Sequence, residues 1–339
     1  MTTHSILIGG AGILGLWQAL TLAKAGHAVR LVDAGDAPFA TSASRYGGAM
    51  LAPDCEAEAA PAIIRDLGRA SLGQWRAVYP DISVRGTLVV AAARDRPDLA
   101  RFARLTEAHE ALDAGRIAAL EPELGTRFPA GLLFAGEAHM SAPDALAALL
   151  VRVRAAGVDV AFGPPMPDTP APGETFVDCR GFAARSELPT LRGVRGERLI
   201  VHAPDVALTR PVRLLHPRHP LYVVPWRDRR FMIGATVIES EDAGPASLRS
   251  ALELMGAAYA LHPAFGEAEI IEMGAGIRPA FPDNVPRVVV RDGGAARSQR
   301  IYVNGAYRHG FLLAPILAEA VAAIIAGEAD AMRHPLVAT

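Results

Sequence analysis

The chain has 339 residues, of which 51% are hydrophobic and 21% charged, with a formal net charge of −2 and an isoelectric point near 6.6. These values are typical of a globular protein that holds one large domain or two interleaved ones. They exclude the strongly basic surface by which proteins bind nucleic acids or anionic membranes.

Cysteine usage and the terminal segments bear on the compartment. Cys55 and Cys179 lie far apart and neither belongs to a CxxC pair, which favours a reducing compartment. The N-terminus enters the first strand directly, without the pattern of a secretory signal. The apolar stretch 311–325 contains Pro315 and Glu319 and is too short to span a bilayer. We therefore expect a cytoplasmic protein.

Residues 6–33 contain a dinucleotide-binding fingerprint in its full context. An apolar strand leads into a glycine-rich turn, a helical stretch follows, and a second strand ends in an acid about 20 residues further on. The order is Ile6-Leu7-Ile8, then Gly10-Ala11-Gly12-Ile13-Leu14-Gly15, and finally Val29-Arg30-Leu31-Val32-Asp33. This order predicts that the chain binds a cofactor that contains ADP.

Each fingerprint residue has a physical role. Gly10 permits the tight turn, Gly12 lets the backbone approach a pyrophosphate, and Gly15 lets the helix pack close to the strand. The pyrophosphate is expected at the helix N-terminus, whose unpaired N–H groups and dipole favour an anion. Asp33 is expected to accept hydrogen bonds from the ribose, which argues against NADP because a carboxylate repels the 2′-phosphate. The fingerprint does not distinguish FAD from NAD.

The remaining chain predicts a mixed α/β fold. A polar, glycine-rich loop at 41–50 follows the second strand, and helical spacing begins at 57. Period-two alternation between 199 and 237 predicts an antiparallel sheet. Further helices are predicted over 57–78, 97–114, 116–120, 142–156, 248–260 and 311–326, with strands at 132–135, 158–162, 176–181, 287–290 and 301–303 and a hairpin over 84–92.

Rossmann-like elements thus occur at both ends and in the middle of the chain, around a β-rich insertion. We predict a discontinuous cofactor-binding domain at 1–80, 131–200 and 275–339, interleaved with a substrate-binding domain at 81–130 and 201–274. No second dinucleotide fingerprint occurs. Electrons are therefore expected to come from a substrate bound over a flavin and to leave to oxygen, rather than to be exchanged with NAD(P)H.

Four further segments resemble glycine oxidases of the thiamine-biosynthesis type, within the D-amino-acid oxidase superfamily. The similarity covers almost the whole chain, and the loop around Met50 and the segment after Arg308 are its more specific parts. The segments are Gly47-Gly48-Ala49-Met50-Leu51-Ala52-Pro53-Asp54-Cys55-Glu56, Leu221–Pro225 with Ile233–Thr236, Gly274–Pro279 with Asp283-Asn284, and Tyr307–Pro315.

The resemblance implies a D-amino-acid oxidase-like fold with non-covalent FAD. It implies oxidation of glycine, or a similar small amino acid, to an imine that hydrolyses to an oxo acid and ammonia while O2 becomes H2O2. In thiamine pathways the imine is instead consumed in making the thiazole ring, so a thiazole synthase is an expected partner. Relatives also suggest a homo-oligomer.

Four residues are candidates for substrate binding, and each keeps an alternative. Arg278 offers a planar fork to a carboxylate, although it could pair with a surface acid instead. Tyr222 could add a phenolic hydrogen bond or simply be a half-buried sheet residue. By family position Arg308 is a second cation, or a structural residue, and Glu56 lies near the substrate entrance or in an exposed loop. No catalytic base is assigned, because amine oxidation by flavin needs none when the amine binds neutral.

Cofactor contacts are expected from six regions of the chain. Gly310 opens the terminal helix, whose first N–H groups would stabilise negative charge on reduced flavin, unless Gly310 only eases a turn. His216 and His219 share no helical face and no acid cluster flanks them, so no metal site is predicted. The expected cofactor-binding residues are Gly10, Gly12, Ile13, Leu14, Gly15, Asp33, Ala34, Ser44, Arg45, Gly48, Ala49, Met50, Met166, Gly181, Arg308, His309, Gly310, Phe311 and Leu312.

Two positions depart from the family pattern. Asp33 replaces the more usual glutamate, and Val237 stands where some relatives carry methionine. The second departure leaves the pocket size open, so oxidases or dehydrogenases of sarcosine, D-amino acids or other small amines remain alternatives. A flavin-dependent tRNA-modifying enzyme and a flavoprotein without catalysis are further alternatives, and the near-neutral isoelectric point argues against the first of these two.

Overall fold

The computed structural model describes residues 3–166, 170–216, 220–292 and 299–338. Polar caps and proline mark several helix starts, as in α6, where Ser141 Oγ accepts from Asp144 N and proline occupies the first turn. The helices are α1 Ile13–Lys24, α2 Pro53–Glu56, α3 Ala62–Val78, α4 Arg96–Leu105, α5 Ala114–Leu120, α6 Ala142–Ala155, α7 Leu248–Leu261 and α8 Gly310–Ile325.

A seven-stranded, mainly parallel sheet carries the fingerprint. Its strands are β1 Ser5–Gly9, β2 Ala28–Asp33, β8 Asp159–Phe162, β9 Thr175–Asp178, β16 Arg287–Asp292, β17 Gln299–Asn304 and β18 Val337–Ala338, in the order β18-β16-β17-β9-β1-β2-β8. Only β16 and β17 pair antiparallel. Ile6 and Ile8 are fully buried in the main core together with residues of α1, α6 and α8, as expected where helices cover a parallel sheet.

A nine-stranded sheet forms the second layer. Its strands are β4 Thr87–Ala91, β5 Glu110–Asp113, β6 Ala130–Phe134, β10 Arg192–His202, β11 Val212–Leu215, β12 Leu221–Pro225, β13 Arg230–Gly234, β14 Ile238–Glu239 and β15 Glu269–Ala280. The order is β14-β10-β13-β12-β11-β4-β6-β5, and β15 also pairs with β10. Among these strands only β11 and β4 pair parallel. A two-stranded ladder joins β3 Met50–Leu51 to β7 Ala138–His139.

The mixed α/β architecture with a separate antiparallel sheet confirms the predicted fold class. The division into two domains stays a prediction, but three of its boundaries cut strands of the nine-stranded sheet. The predicted boundary after 130 cuts β6, which pairs with β4 and β5 of the large sheet. The boundary after 200 cuts β10, which pairs with β15 along its length and with β13 over Arg198–His202, and the boundary after 274 cuts β15 itself. These strands therefore belong to the nine-stranded sheet, because the hydrogen bonds between strands determine which sheet a strand is part of.

Two local predictions are wrong. The helix predicted over 97–114 ends at Leu105, and Glu110–Asp113 instead forms β5, because it pairs with β6. The predicted hairpin at 84–92 is a single strand, β4, which pairs with β6 and β11 rather than folding back on itself. Among the described residues, no helix is long and apolar enough to cross a membrane.

Candidate active site

The glycine-rich turn between β1 and α1 is closely packed. Gly10 has φ +92°, in the region that L side chains rarely adopt. A Cβ atom at Gly15 would lie 1.8 Å from the carbonyl oxygen of Gly10. The glycines therefore let α1 begin directly against the end of β1, with the first N–H groups of the helix facing the turn.

Asp33, at the end of β2, holds the same turn in place. Its Oδ2 accepts from Ala11 N at 2.6 Å and its Oδ1 from Gly35 N at 2.9 Å, and the residue is 7% exposed. Each carboxylate oxygen has a second lone pair, so these bonds leave room for a ribose hydroxyl. The ribose contacts predicted for Asp33 and the neighbouring Ala34 stay predictions.

The start of α1 has the features of an anion cradle. Ile13 N, in its first turn, donates to Ser44 Oγ at 3.1 Å. A Cβ at Gly12 would lie 3.0 Å from Ser42 Oγ and 3.2 Å from Ser44 Oγ. Only a residue without a side chain leaves space here for another group beside the helix N-terminus. The residues present thus fit the pyrophosphate of FAD.

Three further places hold other predicted cofactor residues, namely the end of β1, the residue after the end of β9 and the segment between Ser44 and β3. A Cβ at Gly9 would lie 3.1 Å from Met166 Cε, so Met166 packs beside the end of β1. Gly181 follows β9 with φ +61°, and its carbonyl accepts from Asn304 Nδ2 at 2.8 Å. Arg45, Gly48, Ala49 and Met50 lie on the segment that leads from Ser44 to β3.

The start of α8 meets this segment. His309 is the N-cap residue and Gly310 the first helical residue. A Cβ at Gly47 would lie 2.9 Å from the Phe311 ring, and the buried Trp75 Nε1 donates to Phe311 O at 2.7 Å. Trp75 thereby holds the first turn of α8 beside the 44–50 segment. The N–H groups of this turn lack partners within the helix. Leu312, in the same turn, is buried in the main core.

Glu56 and Arg308 form an ion pair between the two layers. Arg308 Nη2 donates to both carboxylate oxygens of Glu56, at 2.7 and 2.8 Å. Burial alone would raise the pKa of Glu56, but the charges of Arg308, His309 and Arg213 lower it to about 2. The pKa of His309 is lowered to about 4 by burial. At neutral pH the charges are therefore a carboxylate and a guanidinium beside a neutral imidazole.

Arg278, unlike Arg308, has no acidic partner among the residues that the structure describes. On β15 it lies opposite Val194 of β10, and a Cβ at the nearby Gly196 would fall 2.1 Å from its Nη2. Nη1 donates to Thr236 O at 3.0 Å. Within the described part of the chain no carboxylate lies within salt-bridge distance of this guanidinium, whose pKa burial lowers. Arg278 therefore has N–H donors left for an anion.

Tyr222 closes the wall opposite the glycine-rich segment. It lies on β12, and a Cβ at Gly48 would be 3.1 Å from its Cε2 and 3.0 Å from Met232 Cε. Tyr222 lies within electrostatic range of the guanidinium groups of Arg278 and Arg308. The structure thus brings together the four predicted substrate residues, Glu56, Tyr222, Arg278 and Arg308.

Sequence reasoning missed the residues behind the Glu56–Arg308 pair. Arg213 contacts Cys55 and Glu58, on either side of Glu56 in the chain. Cys55 N donates to the buried Glu137 Oε1 at 2.7 Å, and burial raises the pKa of Glu137 to about 8. A charged residue inside the apolar run 212–215 was the available signal for Arg213. Glu137 stands in a loop and gave none.

No group of three or more metal-ligating side chains occurs among the residues that the structure describes. His219, considered above for a metal site, lies outside the described residues.

Comparisons with known proteins agree with this geometry. The sequence matches the family of FAD dependent oxidoreductases over residues 5–324. A protein of Rhizobium etli assigned as the thiamine biosynthesis oxidoreductase ThiO is 49% identical over 318 residues, 94% of this chain and 95% of that protein. The bifunctional protein ThiO/ThiG of Trichormus variabilis is 26% identical over 95% of this chain, which covers 53% of that longer protein.

A glycine oxidase of Geobacillus kaustophilus is 25% identical over 95% of this chain and 93% of that protein. The crystal structure of glycine oxidase from the same organism matches 96% of this chain and 95% of that chain, with a TM-score of 0.79 and 22% identity. These matches confirm the predicted resemblance, the FAD cofactor and the enzyme class. The chain belongs to the family of FAD dependent oxidoreductases.

Proposed function

We propose that this enzyme oxidises glycine to its imine, with O2 as the electron acceptor. The curated relative from Geobacillus kaustophilus is named a glycine oxidase, and the relative that is 49% identical is named for thiamine biosynthesis. The single observation that carries the proposal is Arg278, a half-buried guanidinium with free donors beside Tyr222 and the start of α8. An amino acid offers the carboxylate that this cation lacks.

Arg278 orients the substrate. A guanidinium binds a carboxylate through two parallel hydrogen bonds, which fixes both the position and the rotation of the ligand. Tyr222 can add a phenolic hydrogen bond from the neighbouring strand. Both carboxylate oxygens of Glu56 already accept from Arg308 Nη2, at 2.7–2.8 Å. Arg308 therefore helps to shape the site and to balance its charge, and it is not a second free anchor for the substrate.

Positioning is the main contribution of the protein to the reaction. When bound, FAD accepts two electrons from the substrate and passes them to O2, which gives H2O2. Glycine loses two electrons and two protons to become the imine, and water then converts the imine to glyoxylate and ammonia. A glycine amine bound in its neutral form needs no protein base. The N–H groups at the start of α8, fixed by Trp75, favour negative charge beside them by about 0.3–2 kcal/mol.

We further propose that the imine supplies thiazole formation in thiamine synthesis, with a thiazole synthase as its consumer. The support is that the Trichormus variabilis relative joins a ThiO segment to ThiG in one chain. Cytoplasmic location and assembly into a homo-oligomer belong to the same proposal. So do the cofactor and substrate roles assigned above to individual residues.

Anaerobic addition of glycine to the purified holoenzyme tests the function. We expect glycine to bleach the oxidised flavin band, and air to restore it with formation of H2O2. Sarcosine and D-alanine are added in parallel, because Val237 leaves the pocket size open. Faster bleaching by either of them would mean that this amine, rather than glycine, is the substrate. A flavin band that none of the three bleaches would contradict the proposal.

A further inference from the structure

Arg213 is a half-buried cation close to the proposed substrate site. It lies on β11, where it is the direct cross-strand partner of Tyr222 on β12. Directly opposed residues project to the same face of a sheet, 4.5–5.5 Å apart at Cβ. The Arg213 side chain therefore points to the same side as the proposed substrate residue Tyr222. Its side chain is 13% exposed.

The contacts of Arg213 bracket Glu56. Nη1 lies 3.8 Å from Cys55 Sγ, and Nη2 lies 3.3 Å from Glu58 Oε2. The guanidinium also stacks over the Phe102 ring, at 4.9 Å from the ring centroid. Arg213 thus contacts the residue before Glu56 and one shortly after it. These contacts fix the short segment that carries the Glu56 carboxylate to Arg308.

Charge balance gives Arg213 a second effect. The guanidinium groups of Arg213, Arg278 and Arg308 lie around Glu56, and Glu58 binds both Arg213 and the more exposed Arg101. These four positive and two negative charges leave two positive charges in excess. Without Arg213 the excess falls to one, and a substrate carboxylate would gain less from binding.

We propose that Arg213 is a positioning residue that holds the Glu56–Arg308 pair beside Arg278 and adds positive charge that favours a substrate carboxylate. This inference rests on the proposed function, because it assumes that Arg278 binds the carboxylate. It concerns binding of the substrate rather than the oxidation step. Arg213 is therefore expected to affect KM and not kcat.

Acetate is the probe for the test, because it has the carboxylate but no amine and cannot be oxidised in this way. The holoenzyme is titrated with sodium acetate, and the change in flavin absorbance gives Kd. We expect Arg213→Met to raise Kd for acetate and KM for glycine about tenfold, with kcat and FAD content within twofold of wild type. Arg101→Met is the matched control. Arg101 contacts the same Glu58 at 3.2 Å but is 61% exposed, so we expect less than a twofold change.

A double-mutant cycle tests whether Arg213 acts through Glu56. In a Glu56→Gln background, Arg213→Met is expected to raise Kd for acetate less than threefold. A tenfold increase in both backgrounds would overturn the positioning role. An unchanged Kd in Arg213→Met, or an equal increase in Arg101→Met, would also overturn it.

Two further variants decide the question if Arg213→Met does not fold or retain FAD. Arg213→Lys keeps the charge and Arg213→Gln removes it, and both can donate to Glu58. Acetate binding about tenfold weaker in the Gln variant than in the Lys variant supports the proposal, and equal binding contradicts it. If wild type binds acetate but does not oxidise glycine, the proposed substrate is wrong while the role of Arg213 stands.

Discussion

The two ends of the active site are built in different ways. The fingerprint end is made of backbone from one contiguous stretch, in which Gly10, Gly12 and Gly15 matter because they have no side chains. The substrate end is made of side chains from distant strands and helices, namely Glu56, Tyr222, Arg278 and Arg308, with Arg213 behind them. The fingerprint end should therefore be sensitive to added atoms, and the substrate end to removed ones.

The largest effect is expected from adding one methyl group at the fingerprint. Gly15→Ala would place a Cβ 1.8 Å from Gly10 O, which forces α1 away from β1. We expect loss of most bound FAD and destabilisation by about 3 kcal/mol or more. Flavin absorbance relative to protein and urea unfolding measure the two effects. Gly73→Ala, in a helix where no atom lies within 4 Å, is the control and should be neutral or slightly stabilising. Full FAD content in Gly15→Ala would contradict the close packing.

The next effect is expected from removing the free guanidinium at the substrate end. Arg278→Met should raise KM for glycine about a hundredfold, since losing a charged hydrogen-bonding partner costs about 2–5 kcal/mol. FAD content should not change, and steady-state kinetics with flavin absorbance checks both. The exposed Arg230 is the control, and its change to Met should leave KM unchanged. Gly196→Ala, which displaces the same guanidinium, should raise KM in the same direction. An unaltered KM in Arg278→Met would contradict the role of Arg278 as the anchor for the substrate carboxylate.

A smaller effect concerns stability at the substrate end. Burial raises the pKa of Glu137 to about 8 from an ordinary value near 4.5. Between these values the unfolded chain binds fewer protons than the folded one, so stability falls as pH rises. Glu137→Gln keeps an acceptor for Cys55 N and does not ionise. The free energy of unfolding in urea should fall between pH 5 and pH 8 in both proteins. We expect this fall to be smaller in the variant than in wild type, by on the order of 1–3 kcal/mol. Equal losses would show that Glu137 is ionised at its site.

The smallest effect is expected from removing a side chain at the fingerprint end. Ser44→Ala loses the acceptor for Ile13 N, a hydrogen bond that contributes about 1 kcal/mol. FAD affinity, measured by reconstitution of the apoprotein, should fall less than tenfold, because the backbone N–H groups of α1 remain. A loss of FAD binding as large as that in Gly15→Ala would contradict the difference that we infer between the two ends.

The same contrast explains what the sequence could predict. The fingerprint, from Ile6 to Asp33, is local, and each of its glycines has a recognisable backbone task. Helix α6 was predicted over 142–156 and is found at Ala142–Ala155, because Ser141 and Gly157 mark its ends. The four substrate residues were predicted through family motifs rather than from spacing.

The failures depend on contacts distant in sequence. Glu110–Asp113 becomes a strand only because β6 pairs with it, and nothing near 110 encodes that partner. The predicted boundaries after 130, 200 and 274 cut paired strands for the same reason, since sheet membership is a property of pairs of strands. Arg213 comes to lie beside Tyr222 through the register of β11 on β12, which a single sequence does not reveal.

Beneath Arg278, Gly196 leaves bare backbone where other sheet positions carry side chains. The guanidinium lies flat on this surface and is tied to Thr236 O. A free arginine side chain has rotamer entropy worth about 2 kcal/mol, which an exposed anchor would lose each time it captured an anion. Here that ordering accompanies folding, so a small ligand with few contacts of its own meets a cation whose orientation is already set.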